Sequence, residues 1–371
     1  MRVLFLTSWF PSRLDPTLGN FVERHLRAVE AVGCEVMVIH ETSSKKIIAP
    51  KLESENREGT TIYHILIPRL LRNTSLPIHK KVEKLVSDFA PHLIHGHVMY
   101  PAGKLAIKLS DKFNLPMVFT EHWSGFKELN KDHYTQKVAE VVMHTAEACS
   151  FILPVSKDLG NSILKKGITT PQKVIYNSVD TSLFNWSPAN MTPNTFTFLH
   201  ISNFDKRSKN TEGIVEAFSE LNRDARLIIA GDGDLDRVRR FANTVGADMN
   251  RIEFMGSLEY SEVAKLMKRS HCHVLFSNFE NLPCVIAESL CSGLPNIATA
   301  VGGIPEMIGN TNGLMVQPGD ASALTATMSQ MMDNYPNYDK QAISEQAIEK
   351  YSYGQIGSEF LEIYQKVTGY Q

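Results

Sequence analysis

Two carboxylates in one short segment are the residues of this sequence best suited to chemistry. Glu280 and Glu288 stand eight residues apart within SNFENLPCVIAESLCSGLP, residues 277–295, where every other residue is uncharged. Glu280 is predicted in the loop before a helix, where the helix dipole is a structural reason for a carboxylate. Glu288 is predicted inside that helix, between Ala287 and Leu290, where a buried carboxylate needs a partner. A pair of acceptors could also bind the hydroxyls of a polyol, and both explanations stay open at this point.

Two other motifs contain residue types that bind metal ions. HLIHGH at 92–97 has three histidines, but alternate residues of a strand point to opposite faces, and no carboxylate or thiol cluster lies nearby to complete a site. Asp232 and Asp234 belong to GDGD after a predicted strand, where the glycines favour a tight turn. We therefore predict no metal site.

The elements that must position these residues follow from an alternation of short β-rich apolar runs with helical patterns. Segments such as 21–32 and 138–148 show a 3.6-residue periodicity. This alternation favours parallel sheets covered by helices. The predicted strands are 2–6, 35–40, 61–67, 92–96, 116–120, 150–155 and 173–176, and then 196–202, 226–231, 251–256, 271–277, 294–299 and 312–316.

The pattern breaks once, at 182–195, where prolines and asparagines replace any periodicity and predict a linker. We therefore predict an N-terminal domain at 1–182, a second β/α domain at 196–350 and a terminal amphipathic helix at 351–371. Ligands of open α/β sheets bind at the carboxyl ends of strands, so a cleft between two such domains is expected to hold the chemistry.

Composition excludes several classes of protein. The 371 residues carry a net charge of −2, which gives no global attraction for nucleic acid. The five cysteines form no CxxC pair and sit among apolar neighbours, as is typical of a reduced cytoplasmic protein. The N-terminal MRVLFLTSWFP is too short for a signal-peptide core, and no run of about 18 apolar residues predicts a membrane span.

The segment around Glu280 and Glu288 closely resembles the E-x7-E motif of the retaining glycosyltransferases of family 4 (glycosyl transferases group 1), which include many bacterial surface-polysaccharide enzymes. The likeness is strongest over 270–320. It continues through ENLP at 280–283, GLP at 293–295, VGGIPE at 301–306, NGLMV at 312–316 and PGD at 318–320. The resemblance implies an α/β protein of the GT-B fold, with two Rossmann-like doubly wound domains facing an interdomain cleft. It further implies that the N-terminal domain binds the acceptor, that the second domain binds the nucleotide-sugar donor, and that the helix at 351–371 crosses back to the N-terminal domain.

The resemblance assigns donor-binding roles to residues of the second half. In the family the first glutamate holds hydroxyls of the donor sugar and the second holds the ribose, which implies these roles for Glu280 and Glu288. Backbone N–H groups near the helix start, here at Asn281 and Leu282, face the sugar and diphosphate. Gly256 lies in a stretch similar to the one near the nucleotide base.

The cations expected beside the diphosphate depart from the family pattern. Asn203 stands where the family has an arginine, and Lys209 aligns with the family lysine. A departing diphosphate needs positive charge, so we expect Lys209 to supply it and Arg207 to substitute for the missing arginine. The alternative is that both are ordinary solvated loop charges.

Segments of the first half match the family less closely. Gly19 and Asn20 resemble its glycine loop near donor phosphate and acceptor, where a glycine permits close backbone approach. His122 follows strand 116–120 at the position of a histidine that reaches the donor sugar near the reacting carbon. His95 and His97 match a family stretch and are expected to shape the cleft or its hydrogen bonds. The implied catalytic residues are Glu280, His122 and Lys209.

The resemblance implies a hexosyltransferase that moves a sugar from a UDP- or GDP-sugar to an acceptor hydroxyl with retention, without metal or cofactor. Same-face transfer assisted by the leaving phosphate is the mechanism commonly described for the family. A GT-B nucleotide-sugar epimerase and a non-catalytic sugar-binding protein are the alternatives. The expected partners are a nucleotide sugar and a glycan or lipid-linked acceptor, with no nucleic acid.

The stretch RLLRNTSLPIHKKVEK at 69–84 is the candidate for membrane contact. It places Arg69, Arg72, Lys80, Lys81 and Lys84 among Leu70, Leu71, Leu76 and Ile78. Basic residues interleaved with apolar ones suit an anionic surface. We therefore expect a cytoplasmic protein with peripheral contact at the inner face of the cytoplasmic membrane, and a solvated helix and loop is the alternative.

Overall fold

The computed structural model describes residues 1–71, 77–188 and 194–370, without the side chains of residues 129–131. It divides into two units, one formed by Met1–Ser178 with Tyr353–Gln371 and the other by Val179–Ser352. The start of the predicted linker packs inside the second unit, because Phe184 is fully buried against Tyr260. Residues 189–193 of that linker lie outside the described residues.

The N-terminal unit is built on one sheet covered by helices. Its strands are β1 (Arg2–Thr7), β2 (Glu35–Ser44), β3 (Lys51–Arg57), β4 (Thr60–Pro68), β5 (Leu93–His97), β6 (Met117–Glu121) and β7 (Phe151–Pro154). Its first five helices are α1 (Asn20–Ala31), α2 (Ile78–Phe89), α3 (Met99–Phe113), α4 (Gln136–Ala148) and α5 (Lys157–Leu164). The strand order is β3-β4-β2-β1-β5-β6-β7, and only the β3–β4 pairing is antiparallel.

Two strand predictions for this unit were wrong. The edge strand β3 was not predicted, because its sequence KLESENR is polar and largely exposed, so it lacks the apolar alternation of a half-buried strand. Residues 173–176 are not a strand. They run beside β7, with Ile175 buried and its N–H donating to Pro154 O at 3.2 Å, but only Gln172 forms an isolated bridge.

The second unit has the all-parallel strand order of a Rossmann fold. Its strands are β8 (Phe196–Ser202), β9 (Ala225–Gly231), β10 (Ile252–Met255), β11 (Cys272–Leu275), β12 (Asn296–Thr299) and β13 (Gly313–Val316). Its helices are α6 (Thr211–Ser219), α7 (Leu235–Thr244), α8 (Tyr260–Lys268), α9 (Cys284–Cys291), α10 (Ala321–Asn334) and α11 (Lys340–Tyr351). The order β10-β9-β8-β11-β12-β13 reverses direction between β8 and β11, which is where such sheets bind ligands.

The last helix, α12 (Tyr353–Thr368), packs on the N-terminal unit. Its buried face consists of Ile356, Gly357, Phe360, Ile363 and Tyr364. The side chains of Ile356, Phe360, Ile363 and Tyr364 join the core formed by β1 and α1. Gly357 lies so close to Ala28 that an added Cβ would be 2.0 Å from the Ala28 carbonyl oxygen.

Candidate active site

The two glutamates occupy different environments around the start of α9. Glu280 lies in the loop after β11, whereas Glu288 lies in the second turn of the helix. Pro283 caps α9 in an extended conformation, so the absence of an N–H there breaks no helical hydrogen bond. Helix α9 is buried from Ile286 to Cys291, which explains why the segment reads as apolar on all sides. The predicted placement of both carboxylates is confirmed.

Glu280 forms an ion pair with Lys209, which the chain brings from the loop after β8. Lys209 Nζ contacts Glu280 Oε1, and Ser277 Oγ donates to the same oxygen at 2.8 Å. Only 19% of the Lys209 side chain and 10% of the Glu280 side chain are exposed, so solvent screens this pair weakly. Strands β8 and β11 are neighbours at the reversal of strand order, and this adjacency joins two residues 71 positions apart.

The loop that carries Lys209 is tied to the Glu280 loop by backbone hydrogen bonds. Asn278 N–H donates to Ser208 O at 2.7 Å, and Asn278 Nδ2 donates to Arg207 O at 3.1 Å. The Arg207 side chain is exposed, with its guanidinium 5.9 Å from the centroid of the Phe279 ring. The structure therefore brings Arg207 beside the Glu280 loop, with its side chain turned to solvent.

Asn203 lies farther back in the same loop after β8. Its side chain is exposed, and Asn203 Oδ1 accepts a hydrogen bond from Asp205 N–H at 3.3 Å. Its carbonyl oxygen would lie 2.6 Å from a Cβ added at Gly233, so this loop packs directly on the GDGD turn. Asn203 therefore shapes the loop, and its amide offers no positive charge to replace an arginine.

Glu288 is buried, with 4% exposed, and accepts a hydrogen bond at 2.8 Å from the Tyr260 hydroxyl, at the start of α8. The partner that a buried carboxylate requires therefore comes from a neighbouring helix. Tyr260 is itself fixed by ring contact with Phe184 at 4.8 Å.

The start of α9 is fixed by the glycine-rich loop that follows β12. Asn281 O accepts from Gly303 N–H at 2.8 Å, and Leu282 is buried. Gly256 is exposed after β10, and its carbonyl oxygen accepts from Gly231 N–H at 3.2 Å. These loops all lie at the carboxyl ends of the strands.

The GDGD segment is a turn, as predicted. Asp234 is the N-cap of α7, where its carboxylate accepts from Arg237 N–H at 2.9 Å. Asp232 N–H donates to Ser202 O at 3.2 Å. The two aspartates are thus used in building the turn and the helix start.

In the N-terminal unit, Gly19 is the N-cap of α1 and has φ of 76°. A Cβ at this position would lie 2.3 Å from Trp9 O, so only glycine fits without a backbone shift. Gly19 therefore permits a close approach of the backbone to the loop that follows β1. Asn20 is the first residue of α1 and its side chain is exposed.

His122, directly after β6, lies in a cluster of aromatic rings that the sequence did not indicate. The centroid of its ring is 4.3 Å from that of Phe21, 5.3 Å from that of His25 and 5.8 Å from that of His97. His25 lies on the buried face of α1, and His97 ends β5. The only sequence signal for His25 was its position on the apolar face of a predicted helix.

These histidines are neutral at physiological pH because burial disfavours the imidazolium. Burial lowers the pKa of His25 to about 4, and it holds the pKa of His97 and of His122 well below the usual value. His25 Nε2–H donates to Tyr176 O at 3.2 Å, which leaves Nδ1 as the lone-pair nitrogen. Neutral imidazoles can accept hydrogen bonds from hydroxyls or bind metal ions.

Among the described residues, His25, His97 and His122 are the one group whose ligand atoms are close enough to share a metal ion, within 4.8 Å of one another. The sequence missed this cluster because its members come from three separate elements. His95 has other partners: its ring nitrogens lie 2.6 Å from the Tyr364 hydroxyl and 2.7 Å from Thr120 Oγ1. The absence of a metal requirement stays a prediction.

Comparison with known proteins agrees with this geometry. The family models "Glycosyltransferase Family 4" and "Glycosyl transferases group 1" match residues 18–183 and 195–334. The chain is 24% identical over 360 residues to the putative teichuronic acid biosynthesis glycosyltransferase TuaC of Bacillus subtilis, covering 89% of this chain and 88% of that protein. It is 28% identical over 262 residues to an uncharacterised glycosyltransferase of Methanocaldococcus jannaschii, covering 69% and 70%.

Solved structures share the fold. A sucrose-phosphate synthase of Thermosynechococcus elongatus has a TM-score of 0.82 at 18% identity over 100% of both chains. Anabaena HepE, solved in complex with UDP-glucose, has a TM-score of 0.78 at 18% identity, over 99% of this chain and 100% of that one. The family models and the similarity to the curated glycosyltransferases favour transfer over the epimerase and binding-protein alternatives. With two Rossmann-like units and two glycosyltransferase models covering most of its length, the chain belongs to the family 4 (group 1) glycosyltransferases and has the GT-B fold.

Proposed function

We propose that this glycosyltransferase moves a sugar from a UDP- or GDP-sugar to an acceptor hydroxyl with retention of anomeric configuration. The Lys209–Glu280 pair between β8 and α9 is the observation that carries the proposal. It places one cation and one carboxylate side by side at the strand ends where α/β sheets bind nucleotides. A donor needs both, since its diphosphate is anionic and its sugar is rich in hydroxyls.

The proposed roles divide the donor among these residues. Glu280 accepts hydrogen bonds from sugar hydroxyls, and Lys209 offsets charge on the departing diphosphate. Glu288 holds the ribose, supported by the Tyr260 hydroxyl. Backbone N–H groups at the start of α9, from Asn281 onward, face the sugar and diphosphate.

Further roles are proposed for residues around this core. Arg207 adds a second cation near the Glu280 loop, and Gly256 lies beside the base. In the N-terminal unit, His122 contacts the donor sugar near the reacting carbon. Gly19 and Asn20 line the acceptor side. The reaction is proposed to need no metal, because Lys209 and helix N–H groups offset the diphosphate charge.

The acceptor is proposed to be a glycan or lipid-linked glycan of a bacterial cell surface, reached at the inner face of the cytoplasmic membrane. Support comes from the similarity to TuaC, named for teichuronic acid biosynthesis, which extends over most of both chains. UDP-sugars are the first donors to test, since a structural neighbour was solved with UDP-glucose. Among the described residues, no helix is long and apolar enough to cross a membrane.

The first experiment identifies the donor. Thermal-shift measurements of the full chain with UDP, GDP and ADP and their sugars should show one stabilising nucleotide. Cleavage of the corresponding nucleotide sugar is then measured by nucleotide release with EDTA present throughout. Retained turnover in EDTA is the expected result, and loss of turnover that is restored by a divalent ion would contradict the metal-independent mechanism.

Glu280→Gln tests the site itself. We expect turnover to fall by about 100-fold or more, while nucleotide binding persists, because one acceptor oxygen becomes an NH2 donor and Lys209 loses its anionic partner. Glu253→Gln, an exposed carboxylate on β10 of the same unit, is the matched control and should behave as wild type. Near wild-type turnover of Glu280→Gln would exclude this assignment.

A further inference from the structure

Glu121, between Thr120 and His122, is a fully buried carboxylate that binds three backbone N–H groups. Its Oε1 accepts from His122 N–H and Trp123 N–H, each at 2.8 Å, and its Oε2 accepts from Met99 N–H at 3.0 Å. Its relative exposure is 0%. Three convergent donors stabilise the charged form of a carboxylate that would otherwise be costly to bury.

The three N–H groups lie just after the ends of the neighbouring strands β5 and β6. Met99 is the first residue of α3, but Tyr100 after it is non-helical, with φ of −112° and ψ of 126°, so the Glu121 carboxylate binds an irregular segment between β5 and the regular part of the helix. Val98, which precedes Met99, has φ of 61°, and its N–H donates to Thr120 O at 2.9 Å. A β-branched residue in this conformation is strained and is held in place only by surrounding contacts.

These hydrogen bonds are made close to two members of the histidine cluster, which consists of His25, His97 and His122. His97 lies two residues before Met99, and His122 itself provides one of the bound N–H groups. Their rings stack with 5.8 Å between centroids and 23° between planes. A single carboxylate thus fixes the peptide segments on both sides of this stack.

We propose that Glu121 is a positioning residue that holds the His122 imidazole in one geometry through the backbone of β6 and of the start of α3. This inference rests on the proposed function, in which His122 contacts the donor sugar. Glu121 has its carboxylate bound to peptide N–H groups, so it acts through His122 and not on the substrate.

Protonation of Glu121 would disturb this arrangement. A proton on either oxygen replaces an acceptor by a donor, which then faces an N–H group. Burial raises the pKa of Glu121 to about 7, while the three backbone hydrogen bonds oppose that rise. The group is therefore ionised above this pH and increasingly protonated below it.

Within the part of the chain that the structure describes, the ionisable groups beside Glu121 add no charge that would obscure this titration. Tyr134 stays neutral, because burial and then the Glu121 charge raise the pKa of its hydroxyl. His97, on the neighbouring strand, and His122 are kept neutral by burial. An acid limb near pH 7 that is lost in Glu121→Gln would therefore be assigned to Glu121.

Glu121→Gln in the full chain tests the inference. The carboxamide keeps one acceptor oxygen but presents an NH2 group to one of the three N–H donors. We expect kcat for donor cleavage to fall about 10- to 100-fold through misplacement of His122, while KM for the donor stays within about twofold. The acid limb of the wild-type pH profile near pH 7 should disappear. Glu147→Gln, an exposed carboxylate on α4, should keep both kcat and the limb.

Amide NMR gives a readout that does not depend on turnover. In the wild type, the amide resonances of Met99, His122 and Trp123 should titrate together near pH 7, and in Glu121→Gln they should not. Wild-type kcat in Glu121→Gln, or amide resonances of Met99, His122 and Trp123 that are the same in Glu121→Gln as in the wild type at pH 8, would overturn the proposal. If the wild type cleaves no donor, the proposed function fails by itself, and the comparison of these amide resonances still decides whether Glu121 anchors the His122 peptide.

Discussion

The ion pair of Lys209 and Glu280 differs from an ordinary pair of loop charges in its burial. On an exposed loop such a pair would contribute little, because solvent screens it and both side chains lose entropy. Here both side chains are mostly buried, and Ser277 fixes the carboxylate from a third direction. In the proposed function, an arriving diphosphate and sugar would replace contacts that are already organised, with little rearrangement of the loop.

Tyr260 is the residue whose replacement tests the support of Glu288. Tyr260→Phe removes the hydroxyl that donates to Glu288 Oε1 but keeps the ring packed on Phe184. A buried carboxylate that loses a donor is less well oriented, so we expect the nucleotide Kd to rise about tenfold with little change in fold. Isothermal titration calorimetry with the nucleotide found in the screen measures this.

Tyr338→Phe is the matched control for that measurement, since it removes a half-buried hydroxyl from the same unit outside the Glu288 contact. Its nucleotide Kd should equal that of the wild type. An unchanged Kd in Tyr260→Phe would show that Glu288 does not need this hydrogen bond to bind the nucleotide.

At the scale of elements, α12 stabilises the N-terminal unit through a close crossing with α1. Gly357 permits this approach, since an added Cβ would lie 2.0 Å from Ala28 O and 3.0 Å from Val32 Cγ1. Phe360 and Tyr364 on the same face are fully buried. The helix is therefore part of the N-terminal core, although it comes last in the sequence.

Gly357→Ala is expected to lower the free energy of unfolding by about 1–3 kcal/mol, because the methyl group must push the two helices apart. Gly354→Ala is the matched control in the same helix, with nothing within 4 Å of the added Cβ. It should be neutral or stabilising by up to about 1 kcal/mol, since alanine favours the helix. Urea unfolding of both variants, followed by tryptophan fluorescence, measures the difference. Equal stability of the two variants would contradict the close-packing account.

At the scale of the whole molecule, the two units repeat one arrangement of strands. In each, the order reverses at one pair of strands, β1 and β5 in the N-terminal unit and β8 and β11 in the second. Gly19, His97, Lys209 and Glu280 follow or end these four strands. The repeated topology explains why residues with chemistry appear after strands in both halves of the chain.

The expected membrane contact also concerns the whole molecule, because the net charge of −2 requires that any attraction to anionic lipid come from a local patch. In the stretch 69–84, Leu70 is 96% exposed, and Lys80, Lys81 and Lys84 are exposed on α2. Ile78 is buried and so does not contribute to an outer apolar face. Arg72 and Leu76 lie outside the described residues.

We expect the protein to sediment with anionic liposomes at low salt and to be released at high salt, since each basic residue near such a surface contributes about 1 kcal/mol. Replacing Lys80, Lys81 and Lys84 by Glu should abolish sedimentation. Replacing Arg239, Arg240 and Lys265 by Glu, an equal charge change on exposed positions of the second unit, should not. Protein that stays entirely in the supernatant at low salt would rule out this contact.

The sequence by itself determined the class of fold and located the segment with the two glutamates that we propose bind the donor. Apolar runs and helical periodicity depend on local burial, so twelve of the thirteen strands could be located from them, and β3 was missed because an exposed edge strand carries no such pattern. Glu280 and Glu288 were recognisable because they lie on one short segment whose local structure fixes their spacing.

Only the tertiary structure decided which distant residues meet. Strand order is set by packing of the whole sheet and has no local signal, so the Lys209–Glu280 contact, 71 positions apart, could not be read from spacing. The same holds for the histidine cluster, whose members come from α1, β5 and the end of β6. Glu121 looked like an ordinary residue between Thr120 and His122 until the fold placed three backbone N–H groups around it.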